Sequence, residues 1–88
     1  MNLKSKKQAI RVDVFSKEDC HLCDVAKEVI RKVRKKIPFH LQEIDITDDR
    51  NLFESFKEQI PVVFVNGRKC FKYRVDEDKF TKLLEKLS

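Results

Sequence analysis

From Ile10 to Phe15, apolar residues alternate with Arg11 and Asp13, a period of two that predicts a strand with one buried face. Ser16-Lys17-Glu18-Asp19 follows as a turn. Leu22, Val25, Ala26, Val29, Ile30 and Val33 then recur at spacings of three and four, which predicts a helix burying that single stripe. The helix should begin near Cys20 with Asp19 or Ser16 as its cap, and end at about Lys36, because Pro38 disfavours helical geometry at Ile37. Phe39 to Ile46 reads as a second strand whose poorer alternation suits a sheet edge. Thr47-Asp48-Asp49 supplies a cap for a short helix with Leu52, Phe53 and Phe56 on its apolar face, ending near Gln59.

Strand, helix and strand in this order form a crossover unit with two parallel strands. Beyond Ile60-Pro61, Val62 to Val65 has the composition of a short buried strand. Asn66-Gly67 is a two-residue hairpin turn that returns Lys69 to Tyr73 antiparallel. Asp76 caps a last helix with Phe80, Leu83, Leu84 and Leu87 facing inward, and Val75 and Phe80 are spaced as a hydrophobic staple. The order is β-α-β-α-β-β-α, without repeats.

A chain of 88 residues supports one hydrophobic core and one domain, expected over residues 9–88. Residues 1–8, polar and basic, are expected to form a flexible segment ahead of it. Charged residues reach 40% and apolar ones 41%, and the apolar periodicity marks a folded rather than a disordered chain. Gly67 is the only glycine, which excludes a glycine-rich phosphate loop. The net charge of +5 gathers in an N-terminal group, Lys4, Lys6, Lys7 and Arg11, and in Arg31, Lys32, Arg34, Lys35 and Lys36. The second group falls at the end of the first helix, where cations complement the macrodipole and coat a solvated face. Neither a nucleic-acid nor a membrane partner is therefore expected. Three cysteines and no apolar leader point to a reducing cytoplasm.

The candidate chemistry lies in Cys20-His21-Leu22-Cys23, where the first strand pattern gives way to the long helix. One helical turn brings positions i and i+3 to the same face, so the two sulfurs can close a disulfide. The helix N-terminus, with its unpaired N–H groups and partial positive charge, favours a thiolate on the first cysteine. Lys17 and a protonated His21 act in the same direction, whereas Glu18 and Asp19 oppose them. His40 is assigned no chemistry, and Cys70, on the fourth strand, is read as a small hydrophobe.

Cys20-His21-Leu22-Cys23-Asp24, Ile60-Pro61-Val62 and Arg74-Val75-Asp76, in this element order, resemble the glutaredoxin-like family of the thioredoxin superfamily. The resemblance runs from about Ile10 to Leu87. It implies an α/β thioredoxin-like fold of the glutaredoxin type, a four-stranded mixed sheet with helices on both faces, and a monomeric thiol-disulfide oxidoreductase. It implies further that Cys20 is the nucleophile and Cys23 the resolving thiol, and that Pro61 is cis beside them with Ile60 backbone groups facing an extended substrate. Otherwise Pro61 would be a trans residue opening a strand.

Substrate-binding roles fall to Lys17, His21, Ile60, Pro61, Arg74 and Asp76, of which Lys17, Arg74 and the helix start near Asp76 could meet a carboxylate. The expected partners are disulfide-containing proteins or small thiols and an upstream reductase, with no metal and no cofactor. Glutaredoxins hold glutathione partly through a Gly-Gly pair after the fourth strand; Phe71-Lys72-Tyr73-Arg74 stands there instead, which counts against glutathione as co-substrate. Three alternatives stay open at this point: thiolate zinc binding completed from Cys70, His21 and His40, an iron–sulfur carrier, and a redox-idle protein-binding module.

Overall fold

Val12 and Val14 on the first strand are fully buried while Arg11 is exposed, the alternation its sequence demands. In the computed structural model, which describes residues 9–88, that strand is β1 (Arg11–Ser16). It is followed by α1 (His21–Arg34), β2 (His40–Asp45), a single 3-10 turn (Ile46–Asp48) and α2 (Arg50–Phe56). β3 (Val62–Val65), β4 (Arg68–Lys72) and α3 (Glu77–Leu87) complete the chain. The expected flexible segment at residues 1–8 lies outside the described residues. The strands form one mixed sheet in the order β2-β1-β3-β4, with β1 parallel to β2 and antiparallel to β3, and β3 antiparallel to β4. The thioredoxin-like architecture is as expected, with β2 at an edge.

The two faces of the sheet carry two separate apolar clusters. Val12, Val14, Val63 and Val65 pack with Ala26, Ile30 and Val33 of α1 and with Phe80 and Leu84 of α3. On the other face Phe15, Val62 and Phe64 meet Ile46, Leu52, Phe53 and Phe56 around α2. The unbroken apolar run of β3 follows from this double cover: Val62 and Val63 point to opposite faces and both are buried. The β3–β4 turn places Asn66 at φ 51° and Gly67 at φ 81°, the pair of positive values a two-residue hairpin requires. Asn66 Oδ1 accepts the Arg11 N–H at 2.9 Å, and the Asn66 N–H donates to Arg11 O at 2.8 Å, fastening the turn to the start of β1.

Three expectations about α1 are corrected. Its cap is Cys20 rather than Asp19 or Ser16. Asp19 has φ 56°, outside the extended region an N-cap occupies, whereas Cys20 at φ −120° and ψ 104° lies within it; Ser16 is the buried last residue of β1. The helix stops at Arg34, two residues short of Lys36, in a turn where the Lys36 and Ile37 amides both donate to Val33 O.

The buried stripe is Cys23, Ala26, Ile30 and Val33, and Leu22 and Val25 are 41% and 44% exposed. Cys23 takes the inward position at the first turn, which rotates Leu22 and Val25 one residue aside. Across from them stand Tyr73 to Val75 of the β4–α3 connection, leaving a hollow rather than a packed contact. Smaller shifts affect α2, which ends at Phe56 rather than Gln59, and β4, which ends at Lys72 because Tyr73 turns to φ 70°. Asp76 caps α3 as expected, accepting the Lys79 N–H at 3.0 Å, and Val75 and Phe80 share the large cluster. Among the described residues, no helix is long and apolar enough to cross a membrane.

The rotated stripe has a measurable consequence. Ile30→Ala should cost about 2–5 kcal/mol through the cavity it leaves, whereas Val25→Ala should stay within about 0.5 kcal/mol of the parent. Urea denaturation of the two variants distinguishes this stripe from the alternative one.

Candidate functional site

Because Cys20 is the N-cap, its sulfur does what a serine or aspartate oxygen does elsewhere: it accepts the Cys23 N–H, at 3.2 Å. The Asp24 N–H donates to Cys20 O at 3.1 Å and opens the helical ladder. The cap thus aims the Cys20 sulfur over the helix start, and the next turn carries Cys23 to the same side. The two are disulfide-bonded with Cα atoms 5.2 Å apart, within the range a disulfide spans. Their surroundings differ. Cys20 is half-buried, while Cys23 is fully buried in the α2-side cluster with Ile46, Ile60 and Val62.

Ile60 and Pro61, both buried, join β3 to this cluster through a cis peptide bond, the geometry the family resemblance implied for Pro61. The Tyr73 N–H donates to Pro61 O at 2.8 Å and also reaches Gln59 O at 3.3 Å. The β4–α3 connection is thereby held against the proline.

Of the other candidate residues, Lys17, His21 and Arg74 line two separate hollows. Lys17 lines one of about 500 Å³ with Glu18, Asp19, Asp24, Lys27 and Asp45. His21 and Arg74 line the other, of about 340 Å³, whose walls include Leu22, Val25 and Tyr73. Lys17 and Arg74, grouped at the sequence level as carboxylate contacts, therefore face different spaces. Asp76 spends one carboxylate oxygen on the α3 cap. His40 and Cys70 line further hollows, Cys70 sharing its own with Leu83 and Leu87 and its thiol donating to Arg68 O at 3.2 Å. Among the described residues, no three His, Cys, Asp or Glu side chains come together in a way that could hold a metal ion.

A family model for the Glutaredoxin-like domain (DUF836) matches residues 11–85. The chain belongs to the glutaredoxin-like family. Its similarity to the glutaredoxin-like protein YDR286C homolog of Dictyostelium discoideum is 37% identity over 78 residues, 82% of this chain and 72% of that one. Among solved structures, the protein Ne2328 of Nitrosomonas europaea superposes with a TM-score of 0.74 at 26% identity, covering 92% of this chain and 94% of that one. Thioredoxin-2 of a malaria parasite, a component of that parasite's protein secretion machinery, superposes with a TM-score of 0.70. At 18% identity, over 89% of this chain and 82% of that one, it shares the fold alone. This glutaredoxin-like domain thus has a thioredoxin fold with a cysteine pair at disulfide distance.

Sequence reasoning missed three side chains that wall the His21–Arg74 hollow. Leu22 and Val25 had the spacing of core residues, and Tyr73 closed a strand pattern. The only signal against the first two was Cys23 itself, which offers an equally regular stripe with Ala26, Ile30 and Val33.

On the Lys17 side, the Asp45 carboxylate caps the 3-10 turn by accepting the Thr47 hydroxyl at 2.6 Å and the Thr47 amide at 2.9 Å. These bonds, the hydroxyl's first, hold Asp45 below its ordinary value of 3.8, with desolvation opposing and the Lys27 charge assisting. A depressed folded-state value means the contribution to stability is present above the unfolded value and is lost as pH falls through the folded one. Replacing the hydroxyl in Thr47→Val should move the Asp45 midpoint upward, read by carbon-detected NMR titration of its carboxyl.

Proposed function

We propose that the protein is a thiol-disulfide oxidoreductase that reduces disulfides of proteins or small molecules with the Cys20–Cys23 dithiol. The observation that carries this reading is the asymmetry of the pair. Cys20 is the more accessible sulfur, and in the reduced protein the same Cys23 N–H would donate to its thiolate at the helix N-terminus. Cys23, beneath it, is shielded from any partner except the neighbouring sulfur.

In the forward direction the Cys20 thiolate attacks one sulfur of a substrate disulfide. A Cys20–substrate S–S bond forms, the substrate S–S bond breaks, and one substrate thiolate leaves. Cys23, giving up its proton, then attacks the Cys20 sulfur. The mixed disulfide breaks, the second substrate thiolate departs, and the Cys20–Cys23 disulfide remains. Two electrons have passed to the substrate; of the two protons its thiolates take up, one comes from Cys23 and the other from the solvent that received it when Cys20 ionised, and no metal or organic cofactor is required. A thiol reductant, either a low-molecular-weight thiol or an upstream reductase, returns the pair to the dithiol.

In this reading the Ile60–Pro61 segment, packed in the cysteine cluster, offers its backbone to an extended substrate. His21 and Arg74 contact the substrate from one hollow and Lys17 from the other. Asp76 acts by fixing the start of α3. Phe71-Lys72-Tyr73-Arg74, standing where a Gly-Gly pair would receive glutathione, favours other disulfides. A reducing cytoplasm is the compartment in which such a pair would be kept ready as a dithiol.

The expected phenotypes separate the two sulfurs. Cys20→Ser should reduce turnover of a disulfide substrate to the uncatalysed background. Cys23→Ser should arrest the reaction at a mixed disulfide, visible by intact mass as protein plus one substrate thiol. Wild-type turnover in Cys20→Ser would refute the assignment.

A further inference from the structure

Four large apolar side chains stand exposed among the described residues, and three of them, Leu22, Val25 and Tyr73, wall the hollow beside the cysteine pair. Tyr73 is the informative one. At φ 70° its backbone lies in the left-handed region, where glycine sits freely and a bulky residue is an outlier. Its hydrogen bonds to Pro61 and Gln59 involve only the backbone N–H, which a glycine would supply equally. The connection therefore has no backbone need for a ring here. A strained conformation kept at a site points to use of the side chain that is held there.

The charges around the ring have one sign. Lys72 Nζ lies 5.4 Å from the Tyr73 ring centroid, and Arg74 and His21 supply the polar lining of the hollow, which includes no carboxylate. The Lys17 hollow differs, with Glu18, Asp19 and Asp24 on its wall beside Lys17 and Lys27. The hollow walled by Tyr73 is thus apolar and cationic, whereas the Lys17 hollow mixes carboxylates with ammonium groups.

We propose that the hollow bounded by Leu22, Val25 and Tyr73 is a subsite for the segment flanking the reacting cysteine of a protein disulfide. It takes a large apolar side chain with a carboxylate beside it, and Tyr73 and Arg74 set that preference. The proposal rests on the oxidoreductase reading above and narrows its substrate class to an acidic, apolar protein segment. The apolar side chain fills the space between the exposed Leu22, Val25 and Tyr73, removing all three from water. Its neighbouring carboxylate pairs with the Arg74 guanidinium and the Lys72 ammonium.

Two short peptides, each carrying one cysteine as a mixed disulfide with 5-thio-2-nitrobenzoate, test the preference. One flanks the cysteine with Leu and Glu, the other with Ser and Lys, and the reduced protein's kcat/KM for each is read from the released coloured thiolate. The wild type should favour the Leu-Glu peptide by roughly tenfold or more, the discrimination a small apolar pocket achieves. Tyr73→Gly, which suits the backbone at φ 70°, and Arg74→Glu should each bring that ratio toward one, chiefly through KM. Leu87→Ser, at a similarly exposed apolar residue in a different hollow, should keep the wild-type ratio.

Brisk turnover with a wild-type ratio near one, or a ratio unchanged in both site variants, overturns the subsite and leaves the oxidoreductase reading standing. Faster turnover of a glutathione mixed disulfide than of either peptide also overturns it. No thiolate release from any of the three by the reduced wild type defeats both readings together.

Discussion

The amide of Cys23 and the sulfur of Cys20, 3.2 Å apart, form the contact on which the site depends. It caps α1, and by doing so it fixes three things at once: where the helix starts, which sulfur faces outward, and which face of the helix turns to the core. Had Asp19 taken the cap, as its residue type favours, the helix would start one residue earlier and Cys20 would lie within it rather than at its open end. The left-handed backbone at Asp19 prevents this. The turn between β1 and α1 is thus as much a part of the cysteine pair's geometry as the cysteines are.

Much of the architecture is readable from periodicity because each element has a distinct signal. β1 alternates, the hairpin is marked by Asn66-Gly67, and α3 is announced by Asp76 and its staple residues; all three elements form, although β4 runs Arg68–Lys72 rather than Lys69 to Tyr73 and Leu87, expected to face inward, is exposed. The failures share a cause. In α1, two adjacent stripes have nearly equal apolar spacing, and only tertiary packing, with Cys23 drawn into the α2-side cluster, selects between them. Residue type likewise favours Asp19 over Cys20 as a cap, and no local rule reveals that the preceding turn is left-handed.

The candidate site was legible in its chemistry and less so in its shape. The pairing of Cys20 with Cys23 follows from a spacing of three residues. The separation of Lys17 from Arg74 depends instead on the β4–α3 connection walling a hollow of its own, which is visible only when Tyr73 is seen tied to Pro61. Tyr73 is tied there to Pro61 and Gln59 through backbone bonds rather than side-chain patterns, and such bonds leave little trace in residue type.

The sheet divides the interior into unequal halves, with α1 and α3 over one face and the seven-residue α2 over the other. Cys23 belongs to the thinner half, where Leu52, Phe53 and Phe56 of α2 are only partly buried. Excursions that lift so short a helix need far less free energy than those that part the larger core, since they release less apolar surface. The inner sulfur is consequently screened by the layer of the molecule that buries less apolar surface. Its protection therefore depends on how that short helix seats against the sheet more than on the larger core.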